Sequence, residues 1–324
     1  MQCVFSVVSP LLLALLLDIL LGEPPNRYHP VAWMGSLINT MRRWAPHQGQ
    51  WLPLVYGAGL VMGGAGLVAS LGFILVRLLT SVPPPLGWLA EAAILKLTFS
   101  LRGLARAAAQ VQQALVAGDL PQARHLVGWH LVSRDTTQLS ASQVAAATVE
   151  SVAENTSDGV AAPLFYYALG GLPAALAYRF INTADAMLGY RDPVHEWLGK
   201  VPARLDDLMN LVPARLTAGL IVLAALLLGG DARRAWAVWR RDAHLTASPN
   251  AGRPMSAMAG ALGVELEKVG SYRLGAGQTL PGAQDVARGL RLIYGAALLA
   301  VGLLAGIRLT FCWLFLWPLV LYGS

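Results

Sequence analysis

The sequence predicts an all-α, polytopic integral membrane protein with about four to six membrane segments joined by helical polar loops. Three observations carry this. Of the 324 residues, 56% are hydrophobic and only 13% charged, against roughly 25% charged in a soluble domain, and the mean hydropathy is +0.53. Several apolar runs approach the length of about 20 residues that a spanning helix needs. The intervening polar regions have helical composition, and no β-alternation of useful length interrupts them. Length alone would suit two soluble domains. The apolar runs point instead to a single membrane-embedded domain over residues 1–324, with polar helical regions at about 91–159, 179–210 and 231–289.

In chain order, Val4–Leu21 is apolar, lacks a basic leader and is followed by no small-residue cleavage site, so it reads as a retained membrane segment. Leu52–Leu79 follows and is ended by Pro83-Pro84-Pro85. Leu101–Ala117 and Ser140–Asn155 read as helices, punctuated by Gly118-Asp119 and Pro121. Val160–Tyr178 contains Pro163, Gly170, Gly171 and Pro173, which suits a broken span, a re-entrant segment or a buried helix. Leu211–Leu228 is another span candidate. Leu290–Leu321 is long enough for a tilted span, or for a span and a partial return broken near Arg308.

The net charge of +6 fits the Lys/Arg bias of cytoplasmic loops better than a nucleic-acid partner. No RNA-binding motif or zinc finger accompanies it. The third polar region, with Arg233, Arg234, Arg240, Arg241 and Arg253, is placed in the cytoplasm on this ground, and the chain as a multi-pass protein of the cell (inner) membrane. The side faced by the second polar region depends on whether Val160–Tyr178 and Leu211–Leu228 both span. Cys3 and Cys312 are too far apart in sequence for a disulfide framework and read as buried or lipid-facing residues.

Five polar clusters have chemical content. In VESVAENTSDG, Glu150, Glu154 and Asp158 recur every four residues and share one face of a continuing helix. A metal ion or an acid–base role would offset their repulsion; a solvated helix end is the plainer alternative. In YRFINTADAMLGYRD, Asn182 and Asp185 lie three apart in apolar surroundings, which is costly unless they coordinate something or are paired with Arg179 or Arg191. In ARLDDLMNLVPARLTA, Asp206, Asp207 and Asn210 lie beside Arg204, with Arg215 beyond. Oxygen ligands of this kind suit Mg²⁺ and arginine suits phosphate or carboxylate; helix capping is the alternative.

The fourth cluster, SPNAGRPMSAMAGALG, places the turn Ser248, Asn250 and Gly252 before a small-residue helix. Backbone N–H groups there can hold an anion, and the small residues also permit close helix packing. In the fifth, LDILLGEPPNRYHPVAWMG, Asp18 is an ionisable residue at membrane depth, followed by Glu23 and His29 in an interfacial loop. Neither a P-loop, a GxGxxG turn, HExxH nor G-x-S-x-G is present, so a nucleotide would bind without those devices.

Taken in order, DILLGEPPNRYHPVAWMG, LVSRDT, ESVAENTSDGVAAPLFYYALGG, YRFINTADAMLGYR, ARLDDLMNLVPARLTA and SPNAGRPMSAMAGALGV resemble the cobalamin biosynthesis membrane proteins of the CobD/CbiB family over nearly the whole chain. Arg253 departs from the aromatic expected in SPNAGxP. The resemblance implies ATP-dependent amide ligation of (R)-1-amino-2-propanol, or its O-phosphate, to the ring D propionate of the corrinoid adenosylcobyric acid. It implies Mg²⁺ and ATP as cofactors and the lipid bilayer as surroundings. Association with other late cobalamin-pathway membrane enzymes is a further expectation.

Residue chemistry then suggests roles. Asn182, Asp185, Asp206 and Asp207 would do the metal and phosphate work. Arg179 and Arg204 would contact phosphate or the substrate carboxylate. Glu150 or Glu154, in the acidic cluster with Asp158, would deprotonate the incoming ammonium. Ser248, Asn250 and Gly252 would hold an anionic group. The competing classes are an Mg-dependent intramembrane prenyl- or phosphotransferase, for which the aspartate spacing is too short, and a non-catalytic sensor or transporter, for which no internal symmetry is visible.

Overall fold

The computed structural model describes residues 2–46, 48–190, 192 and 195–311, with the backbone alone at 2–7 and 311. Arg191, Cys312 and the end of the Leu290–Leu321 segment lie outside the described residues, as does the side chain of Cys3. In chain order the helices are α1 (Gln2–Leu21), α2 (Pro30–Arg42), α3 (Trp51–Leu79), α4 (Pro84–Lys96), α5 (Leu101–Val116), α6 (Leu120–His130) and α7 (Ala141–Thr156). They continue as α8 (Ala162–Leu188), α9 (Lys200–Met209), α10 (Leu211–Leu227), α11 (Ala232–Asp242), α12 (Gly252–Leu262) and α13 (Ala283–Phe311). A 3₁₀ turn at Asn26–Tyr28 and a π-helical turn at Ser157–Ala161 complete the helical elements.

The fold is all-α and of membrane type. Among the described residues, three helical runs are long and apolar enough to cross a bilayer: Trp51–Leu79, Ala141–Leu188 and Ala283–Thr310. The bent pair α9 and α10 makes a fourth if it is one span, and Val8–Leu21 is a shorter apolar helix. The stretch Val160–Tyr178 is helical but interrupted. Gly170 and Gly171 leave helical geometry, Gly171 at φ 67°, and Pro173 lies two residues beyond, where its ring and missing N–H weaken the ladder. One local departure from the all-helical expectation is a two-stranded antiparallel hairpin, β1 (Leu266–Lys268) and β2 (Tyr272–Leu274), with Lys268 opposite Tyr272. Three residues per strand are too few to show alternation in sequence.

The chain forms two compact units, each assembled from distant segments: residues 1–100, 162–209 and 301–324 in the first, and 101–161 and 210–300 in the second. No composition shift in the sequence marks these boundaries.

In the first unit, α3 buries Gly57, Leu60, Val61, Gly64, Ala65, Val68 and Gly72, at helical spacing, where it packs on α8. Its other faces expose Val55, Met62, Leu67, Phe73 and Ile74. A helix apolar all round suits a lipid environment.

The second unit has a core of Val111, Ala114, Ala123, Val127, Val144 and Ala147 from α5, α6 and α7. The α5 sequence buries Leu101, Ala105, Ala108, Val111 and Ala114 on one stripe. Asp119 caps α6 through the Gln122 N–H, and Ser140 with Gln143 forms a capping box on α7, each satisfying N–H groups a helix start leaves open. Nearly all of α12 is buried. A Cβ on Gly260 would come within 2.6 Å of the Ala235 Cα, so α11 and α12 touch backbone to backbone there.

Candidate functional site

In the first unit, α8 carries Arg179, Asn182 and Asp185 at three-residue steps. Arg179 Nη1 donates to Asn182 Oδ1 at 3.2 Å, and Asn182 Nδ2 donates to Asp206 Oδ1 of α9 at 3.2 Å. The second and third sequence clusters therefore meet through one amide, whose carbonyl serves a cation and whose N–H serves a carboxylate. Asp206 is buried.

Its neighbour Asp207 is turned about 100° around the helix and lines a cleft of about 230 Å³ with Gly189, His195, Lys200 and Arg204. Arg204 Nη1 lies 3.9 Å from Asp207 Oδ2. Asp185 lies against Gly189 of the cleft wall, since a Cβ on Gly189 would collide with its Oδ1. His195 Nδ1–H donates to Asp192 Oδ2 at 2.7 Å. Asp206 and Asp207 thus have different neighbours.

A fuller metal cage is not built here: no group of three or more His, Cys, Asp or Glu among the described residues could hold a metal. Mg²⁺ commonly takes one or two protein carboxylates and completes its shell with water and phosphate. Asp207, which lines the cleft with Arg204 and Lys200, fits that partial donor set, with Asp185 against the Gly189 wall. Asp206, with Oδ1 engaged by Asn182, fits it less well.

Arg179 also lines a second cavity of this unit, about 340 Å³, with Glu23, Asn26, His29, Phe99 and Ser100. There Glu23 is 2.6 Å from His29 Nε2 and 2.8 Å from Lys96 Nζ. Lys96 is 3.9 Å from the fully buried Asp18. His29 Nδ1 accepts from the Val31 N–H, which leaves the ring proton on Nε2, facing Glu23. Burial pushes the Glu23 carboxyl up, but hydrogen bonds from His29, Lys96 and Ser100 outweigh it and hold it at about 2. The sequence singled out Asp18, Glu23 and His29 but missed Lys96. Its one signal was a lone lysine at the end of the apolar run AAILK.

The second unit holds the acidic cluster. Glu150 is buried and Glu154, one turn on, half-buried. They line a polar cavity of about 260 Å³ with Ser133, Arg134, Ser151, Lys268 and Tyr272. Arg134 Nη2 lies 3.4 Å from Glu150 Oε2. The LVSRDT segment that supplies Arg134 is pinned by Ser151 Oγ donating to the Leu131 carbonyl and Thr136 Oγ1 to the Arg124 carbonyl. Glu150 Oε1 is buried and accepts no hydrogen bond among the described residues, an acceptor that a ligand N–H or O–H would satisfy. Burial, with the charges of Glu150 and Glu154, pushes the Tyr272 hydroxyl well above its ordinary range.

Asp158 does not line this cavity. The helix widens at the π-helical turn containing it, which breaks the four-residue register that would have aligned it with Glu150 and Glu154. Lys268 and Tyr272, supplied by the hairpin, were not legible in the sequence.

At the fourth cluster, Ser248 Oγ accepts from the N–H groups of Asn250 and Ala251, at 3.2 and 3.3 Å. Those amides are therefore already engaged. Asn250 is buried, and Gly252 approaches the Ala243 carbonyl so closely that a Cβ would collide with it. The cationic element here is Arg253. Its buried Nε has no hydrogen-bond partner among the described residues, and burial and the neighbouring Arg215 push its pKa down. An anion between two such guanidinium groups would relieve their repulsion.

Fold and sites together define a membrane-embedded, all-helical protein in which each compact unit carries a cavity lined by charged residues. The family profile described as CobD/Cbib protein matches residues 11–293, and the chain belongs to that family of cobalamin biosynthesis proteins. The "Probable cobalamin biosynthesis protein CobD" of Methanothermobacter thermautotrophicus is 43% identical over 83% of this chain and 87% of its own. "Cobalamin biosynthesis protein CobD" of Klebsiella pneumoniae is 38% identical over 91% and 95%. "Cobalamin biosynthesis protein CbiB" of Salmonella arizonae is 38% identical over 93% and 97%. No solved structure matches the chain.

Proposed function

We propose that this cobalamin biosynthesis protein is an ATP-dependent acid–amine ligase of the cell's inner membrane. It would join (R)-1-amino-2-propanol or its O-phosphate to a propionate carboxylate of adenosylcobyric acid. The observation that carries the reading is Glu150, whose buried Oε1 has no hydrogen-bond donor within bonding geometry among the described residues, in a cavity that also holds Glu154, Arg134, Lys268 and Tyr272. Two carboxylates suit an ammonium group, and the cations beside them suit a phosphate on the same small molecule.

A carboxylate is a poor electrophile. In the proposed reaction the propionate oxygen attacks the γ-phosphorus of ATP, releasing ADP and forming an acyl phosphate. The amine nitrogen then attacks the acyl carbon, the C–O bond to phosphate breaks, and inorganic phosphate leaves. Glu150 or Glu154 takes the proton that the ammonium must lose first. Arg204 and Lys200 would neutralise phosphate charge in the first unit's cleft. Mg²⁺, held there by Asp207 and Asp185, would supply further charge neutralisation. Arg215 and Arg253 would hold a second anionic group.

The test is incubation of the purified protein with adenosylcobyric acid, Mg-ATP and aminopropanol phosphate. A corrinoid mass gain equal to the amide, with one nucleotide hydrolysed per product, supports the reading. No mass gain from folded protein overturns it.

A further inference from the structure

Helix α11, ARRAWAVWRRD, has two unlike faces. One carries Ala235, Val238 and Asp242, all buried, where the helix packs on α10 and α12. Asp242 fixes that face: its Oδ2 accepts from the Gly275 N–H at 2.7 Å, and both oxygens accept from Arg241. Arg234 is likewise engaged, donating to the Gly260 carbonyl and lying 3.8 Å from Asp231.

The other face carries Arg233, Trp236 and Arg240 at steps of three and four, hence in one stripe. All three are exposed, Trp236 at 49%. Arg240 lies 5.9 Å from the centre of the Trp236 ring. Neither Arg233 nor Arg240 has an ion pair among the described residues. Exposed single tryptophans need no explanation, but an indole flanked by two guanidinium groups that have no ion pair among the described residues is a different surface.

Its position supplies the second observation. The apolar helix α10 ends at Leu227 with Leu226, Leu227 and Leu228 all exposed, and only residues 228–231 separate it from α11. Aromatic rings with a polar edge collect where a spanning helix meets the headgroups. Arginine binds phosphate through paired donors, and a basic, tryptophan-bearing amphipathic helix lies in the interface plane.

We propose that the outer face of α11 lies in the headgroup layer and binds anionic phospholipid, with Arg233 and Arg240 on the phosphates and Trp236 among the upper acyl carbons. This contact is separate from the ligation chemistry and does not depend on it.

The full chain, with Cys3→Ser and Cys312→Ser, is reconstituted in nanodiscs of phosphatidylcholine with or without phosphatidylglycerol and carries a spin label at Ala237→Cys, an exposed position on α11. The expected result is a label shielded from an aqueous nickel chelate and open to oxygen, and more so with phosphatidylglycerol. Native mass spectrometry should show retained phosphatidylglycerol, reduced about fivefold for each of Arg233→Gln and Arg240→Gln, with an unchanged melting temperature. Aqueous accessibility in both lipid mixtures overturns the proposal. So does equal lipid retention by the double variant, or shielding that persists in lipid-free detergent together with a dimeric mass, which would assign the face to a second copy.

Discussion

The guanidinium of Arg134 stands 3.4 Å from the Glu150 carboxylate, and only one of the two carboxylate oxygens is engaged by it. Glu150 Oε2 is paired, while Oε1 is buried with no donor in bonding geometry among the described residues. The two oxygens therefore have separable consequences, one for the fold and one for the ligand.

Glu150→Gln keeps the volume and loses the base. Ligation should fall by roughly 10²- to 10⁴-fold, with the far-ultraviolet circular dichroism and melting temperature little changed. Arg134→Met should act differently. It leaves Glu150 buried without its cation and should cost about 1–3 kcal/mol of stability, measured as a lowered thermal midpoint in detergent.

Asp206 and Asp207 are adjacent in sequence and unlike in position. Asp207→Asn should raise the Mg²⁺ concentration needed for half-maximal activity by roughly 10- to 100-fold, because Asp207 lines the cleft beside Arg204. Asp206→Asn should chiefly lower stability, since its Oδ1 accepts from Asn182. A magnesium titration of both variants separates the two, and equal shifts would contradict the assignment.

Glu23 predicts an acid response. Its folded pKa, about 2, lies below the ordinary value of 4.5. A depressed carboxyl contributes stability that is present above 4.5 and is lost as pH falls toward 2. Lys96→Met removes one of the groups that depress it and leaves Asp18 buried without its lysine. Acid unfolding of this variant should begin at a higher pH than in the parent, followed by tryptophan fluorescence.

The close contact of α11 with α12 predicts sensitivity to a single methyl group. Gly260→Ala places a Cβ 2.6 Å from the Ala235 Cα, and backbone cannot rotate away as a side chain can. Overpacking of this kind costs about 1–3 kcal/mol. Differential scanning fluorimetry in detergent would show it.

What the sequence disclosed follows the range of the interactions involved. Glu150 and Glu154 share a cavity because they lie one turn apart on α7, a local relationship that spacing reveals. The chain from Arg179 through Asn182 to Asp206 was half visible: each cluster stood out as polar residues in apolar surroundings, but their meeting depends on the packing of α8 with α9. Lys268 and Tyr272 reach the Glu150 cavity on a hairpin too short to carry a period. The four-residue spacing groups Asp158 with Glu150 and Glu154 only on an unbroken α-helix, and the π-helical turn Ser157–Ala161 breaks it without any proline or glycine at its start. The Ser248–Gly252 turn reads as an anion cradle in sequence, yet its own serine engages two of the amides, and Arg253 is the group there whose Nε lacks a partner among the described residues.

The central claim is that the propionate is activated as an acyl phosphate and then captured by the amine. Adenosylcobyric acid labelled with ¹⁸O in its carboxylate, incubated with the protein, Mg-ATP and aminopropanol phosphate, tests it most directly. The account predicts an amide product that has lost one ¹⁸O, with that atom recovered in inorganic phosphate at one per turnover. Label recovered in AMP, or amide formed with no labelled phosphate, would contradict it.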